Sequence, residues 1–448
     1  MITSHEKSGS EALVTAEAAP WSDVIMSEPS NAELKGTTFI TTVRGKIVQH
    51  LPLTIESGGV VFYGLVFGLD SLFILAAAIL NVGTPFYMYF DSMAQGKRHE
   101  ALKKVNLCMT ELSKGCNSDL IASLYLMLQY KELKLDSLSE RAEQAWCDER
   151  CASKIRLETT LQVEAQIKVQ LEAQISFVDI SDVNALREQL DANNAVVALI
   201  CTGPYLQRAL FVQHDKARAQ REKRVGPSIF LGLHALQDNQ IGTCCPWSRN
   251  SVVIPHIVNV RYQRLLGTFA TQMSQPQFNI LMLLLLNDLV FEERGEYVLF
   301  GLQLQETRLL IRCSFKTAAT VLHFRKAVSL KMSLLRFCVE EKVTADNTER
   351  LNEFMATRKP LPGIASALDV SNFLLHAMKV VLGSSLETMD CTPCQNIPDF
   401  KPTSHSMMLS NSDCLFAYVS TAETPWFGED PDPDHQMPVF HENDDEEP

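Results

Sequence analysis

Several signatures of catalysis are missing from this 448-residue sequence. It holds no G-x-x-x-x-G-K-[ST] or G-x-G-x-x-G phosphate loop, no H-E-x-x-H, no G-x-S-x-G and no EF-hand loop. Its 11 histidines show no metal-ligand spacing. No Asn-x-Ser/Thr site occurs, and the N-terminus lacks the basic and apolar regions of a secretory signal. Glycine and proline are sparse, 20 and 19 residues, which excludes collagen-like and mucin-like chains. Apolar residues make up 46% and charged residues 21%, a globular balance that excludes disorder over the whole length. A site assembled from distant positions needs no local motif, so an enzyme with no recognisable motif stands as an alternative to a non-enzymatic protein.

Positive charge is missing from one end. Residues 402–448 contain eleven Asp or Glu and no Lys or Arg; of the net −13, this leaves −2 for the other 401 residues. The body is nearly neutral, which argues against direct nucleic-acid binding. The tail interleaves Trp426, Phe427, Met437, Val439 and Phe440 with acids, a composition that keeps apolar anchors soluble and available to a protein partner. The 12 cysteines are scattered, several in apolar runs, and do not form a small disulfide scaffold. The expected setting is the reducing cytoplasm or nucleus, with a membrane as the alternative.

Length predicts two to four domains. Residues 1–35 read as a disordered arm and 36–150 as a helical region. Residues 151–315 read as a mixed α/β region, 316–390 as a second helical region and 391–448 as a disordered acidic tail. The fold class expected is α+β, helix-dominated, with disordered ends. Gly36–Ile55 is rich in β-branched residues and predicts one or two short strands.

Gly58–Leu80 is the most apolar stretch: 23 residues with one charge, Asp70. Its length, its G-x-x-x-G pair at Gly64 and Gly68 and the following aromatic and basic residues fit a membrane span. A central Asp costs about 2.5–3.5 kcal/mol on the insertion scale, and four glycines weaken the apolar return. A buried core helix with a glycine kink is therefore the first expectation, and a membrane-anchored or membrane-inserting protein is the alternative. A lone carboxylate in such a run must be paired, neutralised or functional, which makes Asp70 a candidate site; it also stands where a helix break at Gly68-Leu69-Asp70-Ser71 is expected.

Ile155–Phe177 alternates strictly, apolar at odd positions and polar at even ones. That period predicts a long bent strand or two strands, with a helix as the second reading because the residue types favour it. Ile175–Gly203 reads as strand, helix, strand with Asp182 at the helix N-cap. Pro204–Val225 ends in a basic helix with five cations in nine residues. Ser251–Val260 reads as a strand and Ile280–Phe291 as a core helix. Tyr297–Leu304 and Arg308–Phe315 read as a hairpin, and Lys316–Glu341 and Asp369–Leu386 as helices. Cys391-Thr-Pro-Cys394 has the spacing of a metal or redox pair, but no second knuckle accompanies it; no metal and no cofactor is expected.

Glu100–Ser113 and Asp119–Leu133 read as two amphipathic helices with Ser118 as N-cap of the second. With its Ala-Leu start, Ser-Asp break and Leu-rich helix ending in Tyr-x-Glu, His99–Leu133 resembles the helix pair in the regulatory domain of fungal zinc-cluster transcription factors. The resemblance covers 35 of 448 residues, and the six-cysteine DNA-binding cluster of that family does not stand in this sequence. It implies transcription regulation without direct DNA contact. The function expected is a non-enzymatic interaction or regulatory protein that works through partner surfaces and its tail, residues 402–448.

Overall fold

The computed structural model describes residues 2–6, 12–15, 37–86, 95–136, 139–175, 177, 179–208, 210–211, 229–231, 240–241, 252–261, 264–274, 277–278, 280–281, 284, 290–294, 297–304, 307–341, 348–357, 366–383 and 387–389. These form a helix-dominated mixed fold. The tail, with Cys391, Cys394, Trp426 and Phe427, and the cations of 216–224 lie outside the described residues.

The centre is the apolar run, split into α2 (Ile55–Phe67) and α3 (Asp70–Val82). Gly68 ends α2 in the left-handed region at φ 68°, and both its own N–H and that of Leu69 donate to the Gly64 carbonyl. A left-handed residue at a helix end satisfies orphan carbonyls, and glycine enters that region without a Cβ penalty. Each helix has 13 residues, about 20 Å at 1.5 Å per residue, against a hydrocarbon core of about 30 Å. No helix among the described residues is long and apolar enough to cross a membrane. Every residue from Ser57 to Phe67 and from Leu69 to Leu80 is buried, so the run is a pair of core helices broken at glycine.

The other helices wrap this pair. α1 (Val43–Val48), α9 (Phe315–Glu341) and α11 (Ala367–Leu382) pack on α2. α5 (Asp119–Leu135), α7 (Lys154–Glu172) and α8 (Val183–Thr202) pack on α3. α4 (Gln95–Leu112) lies on α5, α6 (Glu140–Glu149) on α7 and α10 (Thr348–Thr357) on α9. One buried cluster runs from Val43 through Val381. α11 opens with a capping box, Ser366 and Asp369 each bonding the other's backbone N–H.

Strands are peripheral. β1 (Ile2–Glu6), β2 (Ala12–Thr15) and β3 (Thr37–Thr41) form a small sheet in the order β2-β1-β3. In β1 and β2 the β-branched Ile2, Thr3, Val14 and Thr15 suit extended backbone. A five-stranded sheet has the order β4-β7-β8-β5-β6. Its members are β4 (Leu210–Phe211), β5 (Ile229–Leu231), β6 (Gln240–Ile241), β7 (Val252–Arg261) and β8 (Arg264–Met273). A four-stranded antiparallel sheet has the order β12-β11-β10-β9. It comprises β9 (Val290–Arg294), β10 (Tyr297–Leu304), β11 (Thr307–Cys313) and β12 (Glu387–Met389). In the expected hairpin β10–β11, Val298 pairs with Cys313 and Phe300 with Ile311, all four buried.

Several expectations need correction or narrowing. Residues 155–172, read first as strand, are the helix α7. Strict alternation spreads apolar side chains around a helix, and here Leu157, Ile167 and Leu171 face the core while Ile155 and Val169 face outward. Among the described residues of 175–203 no strand flanks α8: Asp182 caps the helix, its carboxylate accepting from Asn184 N–H, and the helix continues through Ala195–Thr202. That apolar run reads as strand because it is buried nearly all round, which erases helical periodicity. Gly36–Ile55 yields one strand, followed by the helix α1 and the start of α2. Of the core helix expected at 280–291, residues 280, 281 and 284 are helical and buried, but β9 begins at Val290.

Candidate functional site

The cysteine pair 391 and 394 and the aromatic pair 426 and 427 fall outside the described residues, so of the candidates named from sequence only Asp70 is placed. It lies in the first turn of α3, 8% exposed, where the helix dipole favours an acid. Its charge acts on Lys331 of α9. Burial of the Lys331 ammonium pushes its pKa below the usual lysine range, and the charge of Asp70 pulls it back up. Next to Asp70, Ser71 Oγ donates to Asp179 Oδ1 at 3.2 Å and accepts from Ile180 N–H at 2.8 Å, which ties the break to the segment before α8. On the α2 side, Ser371 Oγ of α11 donates to the Val66 carbonyl at 3.1 Å. Asp70 is thus a buried carboxylate whose charge acts on Lys331, and it lines neither of the cavities described here.

A surface site is built elsewhere, on the helix pair α4–α5. The turn between them, residues 113–118, has Lys114, Gly115 and Asn117 at positive φ. Ser118 caps α5 and its hydroxyl also meets Thr271 Oγ1 of β8 at 2.8 Å. Asp119 Oδ2 accepts the Ala270 N–H at 2.7 Å, and the Asn117 carbonyl accepts the Gln272 N–H at 2.9 Å. The start of α5 is therefore stitched to β8, and the pair projects as a rigid unit. With α6 and α8 it encloses a cleft of about 900 Å³.

The floor is apolar and aromatic and the rim is charged. Leu107 of α4 is 59% exposed, and Leu112, Leu133 and Trp146 line the wall. The Arg150 guanidinium stacks 4.5 Å over Trp146 and donates to Gln129 and Glu149. At the other end Lys114 Nζ reaches Asp191 Oδ1 at 2.5 Å and stands 4.1 Å over the Tyr125 ring, whose hydroxyl donates to the same oxygen at 2.6 Å. Arg187 and Glu132 form a forked pair, 2.6 and 3.5 Å. Lys114 and Tyr125 hold the Asp191 carboxyl below its usual range; burial and the adjacent Asp191 push the Tyr125 hydroxyl up.

Two thiols of the cleft wall are held protonated by burial. Cys108, bonded through Sγ to the Arg150 carbonyl at 3.6 Å, is pushed up to about 11 by burial, with a smaller push from Cys151. Cys147 behind it is also raised by burial to about 11. Two units of pKa are about a hundredfold in thiolate at a given pH. Iodoacetamide at pH 8, followed by peptide mass spectrometry, is therefore expected to label Cys108 and Cys147 of the folded chain roughly a hundredfold more slowly than the same residues in urea. Equal rates would show that the α4–α6 wall is not packed as described. Among the described residues no group of three or more His, Cys, Asp or Glu is placed to hold a metal ion.

Sequence patterning found α4, α5 and the Ser118 cap but not the cleft. Its rim joins Lys114 to Asp191 and Glu132 to Arg187, pairs 77 and 55 residues apart, and no local spacing signals such a contact. No protein-family model matches the chain, and no curated protein matches it.

Proposed function

We propose that the chain is a non-enzymatic interaction protein of a regulatory kind, which receives a protein partner in the cleft between α4, α5, α6 and α8. The observation that carries this reading is the composition of the cleft: an exposed Leu107 and an aromatic floor inside a rim of ion pairs. Apolar and aromatic anchors inside a polar rim are the anatomy of protein-binding hot spots. The charged side chains of the rim pair mostly with one another, so they orient a partner without presenting a field of one sign. The tail, residues 402–448, is a second element for the same purpose: its acids keep Trp426 and Phe427 in water until a partner receives them. Regulation of transcription through bound proteins fits both elements.

The test compares the full chain with Leu107→Glu and with a chain ending at residue 401, by co-purification and thermal unfolding. The expected result is loss of co-purifying protein in one or both variants with Tm unchanged within about 2 °C, because Leu107 is exposed and surface changes are usually neutral. An unaltered set of partners in both variants would reject the proposal. So would a small molecule retained by the wild-type chain in native mass spectra and lost in Leu107→Glu, which would favour the enzyme reading.

A further inference from the structure

We propose that α6 is a flap on the wall of the cleft: it swings away from α5 and α7 about a hinge at Cys151 while the rest of the fold stays closed, and Glu143 is its latch. Little else holds the first half of this helix. The buried residues of α6 are Glu143 and Cys147. From 139 to 146, Glu143 is the only buried side chain. A surface helix normally docks through an apolar stripe. The N-terminal half of α6 docks through a carboxylate.

Two lysines on two other helices grip that carboxylate. Lys134 Nζ of α5 meets Glu143 Oε1 at 2.7 Å, and Lys154 Nζ at the start of α7 meets Glu143 Oε2 at 3.0 Å. Lys134 first, and Lys154 second, hold the Glu143 carboxyl below its usual range. Both lysines also face Glu158 of α7, at 3.6 and 3.9 Å, and Lys134 stands 5.4 Å over the Tyr130 ring. When Glu143 leaves, each ammonium therefore keeps Glu158 as a partner, and Glu143 itself goes into water. Neither side of the latch is stranded as an uncompensated buried charge, so α6 can open without unfolding its neighbours.

The other end of α6 is tied by backbone. Ala152 forms a β-bridge with Phe86, and the Ser153 N–H donates to the Pro85 carbonyl at 2.7 Å. Between this anchor and the helix stands Cys151 at φ 54°. That left-handed region favours glycine, so the backbone is strained at the point where a swing would relax it. Trp146, Glu149 and Arg150 line the cleft. Opening removes their wall and bares Cys147 and the Tyr130 ring, which lies 5.8 Å from that of Trp146. The flap thus sets which form of the cleft a partner meets. That consequence rests on the binding function proposed above; the latch itself does not.

Hydrogen exchange of the full-length chain, read peptide by peptide by mass spectrometry, measures the latch with no partner present. In the wild type, amides 144–149 are expected to exchange about tenfold or more faster than those in the middle of α5 and α7. In Glu143→Gln, exchange of 144–149 and iodoacetamide labelling of Cys147 are expected to rise about tenfold further, while α5, α7 and the buried Cys201 of α8 keep their wild-type rates. Glu140→Gln changes an exposed residue of the same helix that also faces Lys154, at 3.6 Å, and is expected to alter these rates by no more than about twofold. A wild-type α6 that exchanges only together with α5 and α7 would overturn the proposal. So would a Glu143→Gln chain in which α6 is unchanged, or one in which α5 and α7 quicken equally, because Glu143 would then hold the whole body and not a flap. The binding function is judged separately, by the partners lost in Leu107→Glu, so either reading can fail alone.

Discussion

Asp70→Leu and Lys331→Met, made singly, are each expected to lower unfolding free energy by about 3–5 kcal/mol, whereas the double variant loses far less. Asp70 is 8% exposed, and its charge acts on the desolvated ammonium of Lys331, a half-buried residue of α9. Removing one partner strands the other charge in an apolar surrounding, where the uncompensated desolvation is large. Removing both replaces a buried pair with apolar volume, which is often neutral or stabilising. Urea titrations of the four chains give the coupling directly. The pH dependence has a definite sign. Lys331 has a folded pKa below its unfolded value near 10.5, so between those values the unfolded chain binds more protons and this group's contribution to stability rises with pH. Below the folded pKa the full penalty is present. Additive single losses would mean that the two side chains do not act as a pair.

The second large effect concerns the approach of α2 to α3. A Cβ at Gly64 would lie 2.6 Å from Phe73 Cβ, and one at Gly68 would lie 2.9 Å from Ser371 Cβ. Neither neighbour is the loose end of a flexible side chain, so the helices must part. Gly64→Val is expected to cost about 3 kcal/mol or more, since overpacking costs typically 1–3 kcal/mol and a valine adds two methyl groups beyond the first contact. Gly68→Ala adds a left-handed penalty of about 1–2 kcal/mol to its clash. Gly83→Ala separates the two causes: φ there is 99°, but a Cβ meets nothing within 4 Å, so only the backbone penalty remains. Thermal unfolding should rank the losses Gly64→Val and Gly68→Ala above Gly83→Ala. If Gly64→Val proves neutral, the two helices are not in contact there.

These residues also show what the sequence made legible. Gly68 was visible as a kink because glycine inside an apolar run has few other uses, and Ser118 as a cap because it precedes a leucine-rich helical period. The β10–β11 hairpin and its inward-facing residues follow from alternation with one buried face. α7 was hidden by the same logic: alternation marks a strand only when one side is buried, and in α7 the alternating apolar residues lie on both sides of a helix, Leu157, Ile167 and Leu171 inward and Ile155 and Val169 outward. α8 was hidden because burial on nearly all sides removes the polar positions that mark helical period. The seat of Asp119 on β8 and the Lys114–Asp191 pair depend on tertiary placement, which no local pattern encodes. Lys331 looked like an ordinary helix lysine; its partner, Asp70, was the side chain that signalled a buried charge.

Ile55–Val82 is the centre of the fold, on which α5, α7 and α8 are mounted and from which the α4–α5 unit and its cleft project. Native-state hydrogen exchange of the full-length chain in plain buffer measures this most directly. The amides of α2 and α3 are expected to exchange slowest of all, opening only with global unfolding, while α4 and the outward edge of α6 open at lower free energy. Fast exchange across 58–80 in a chain whose other helices are protected would contradict the account, because the apolar run would then lie outside the folded body.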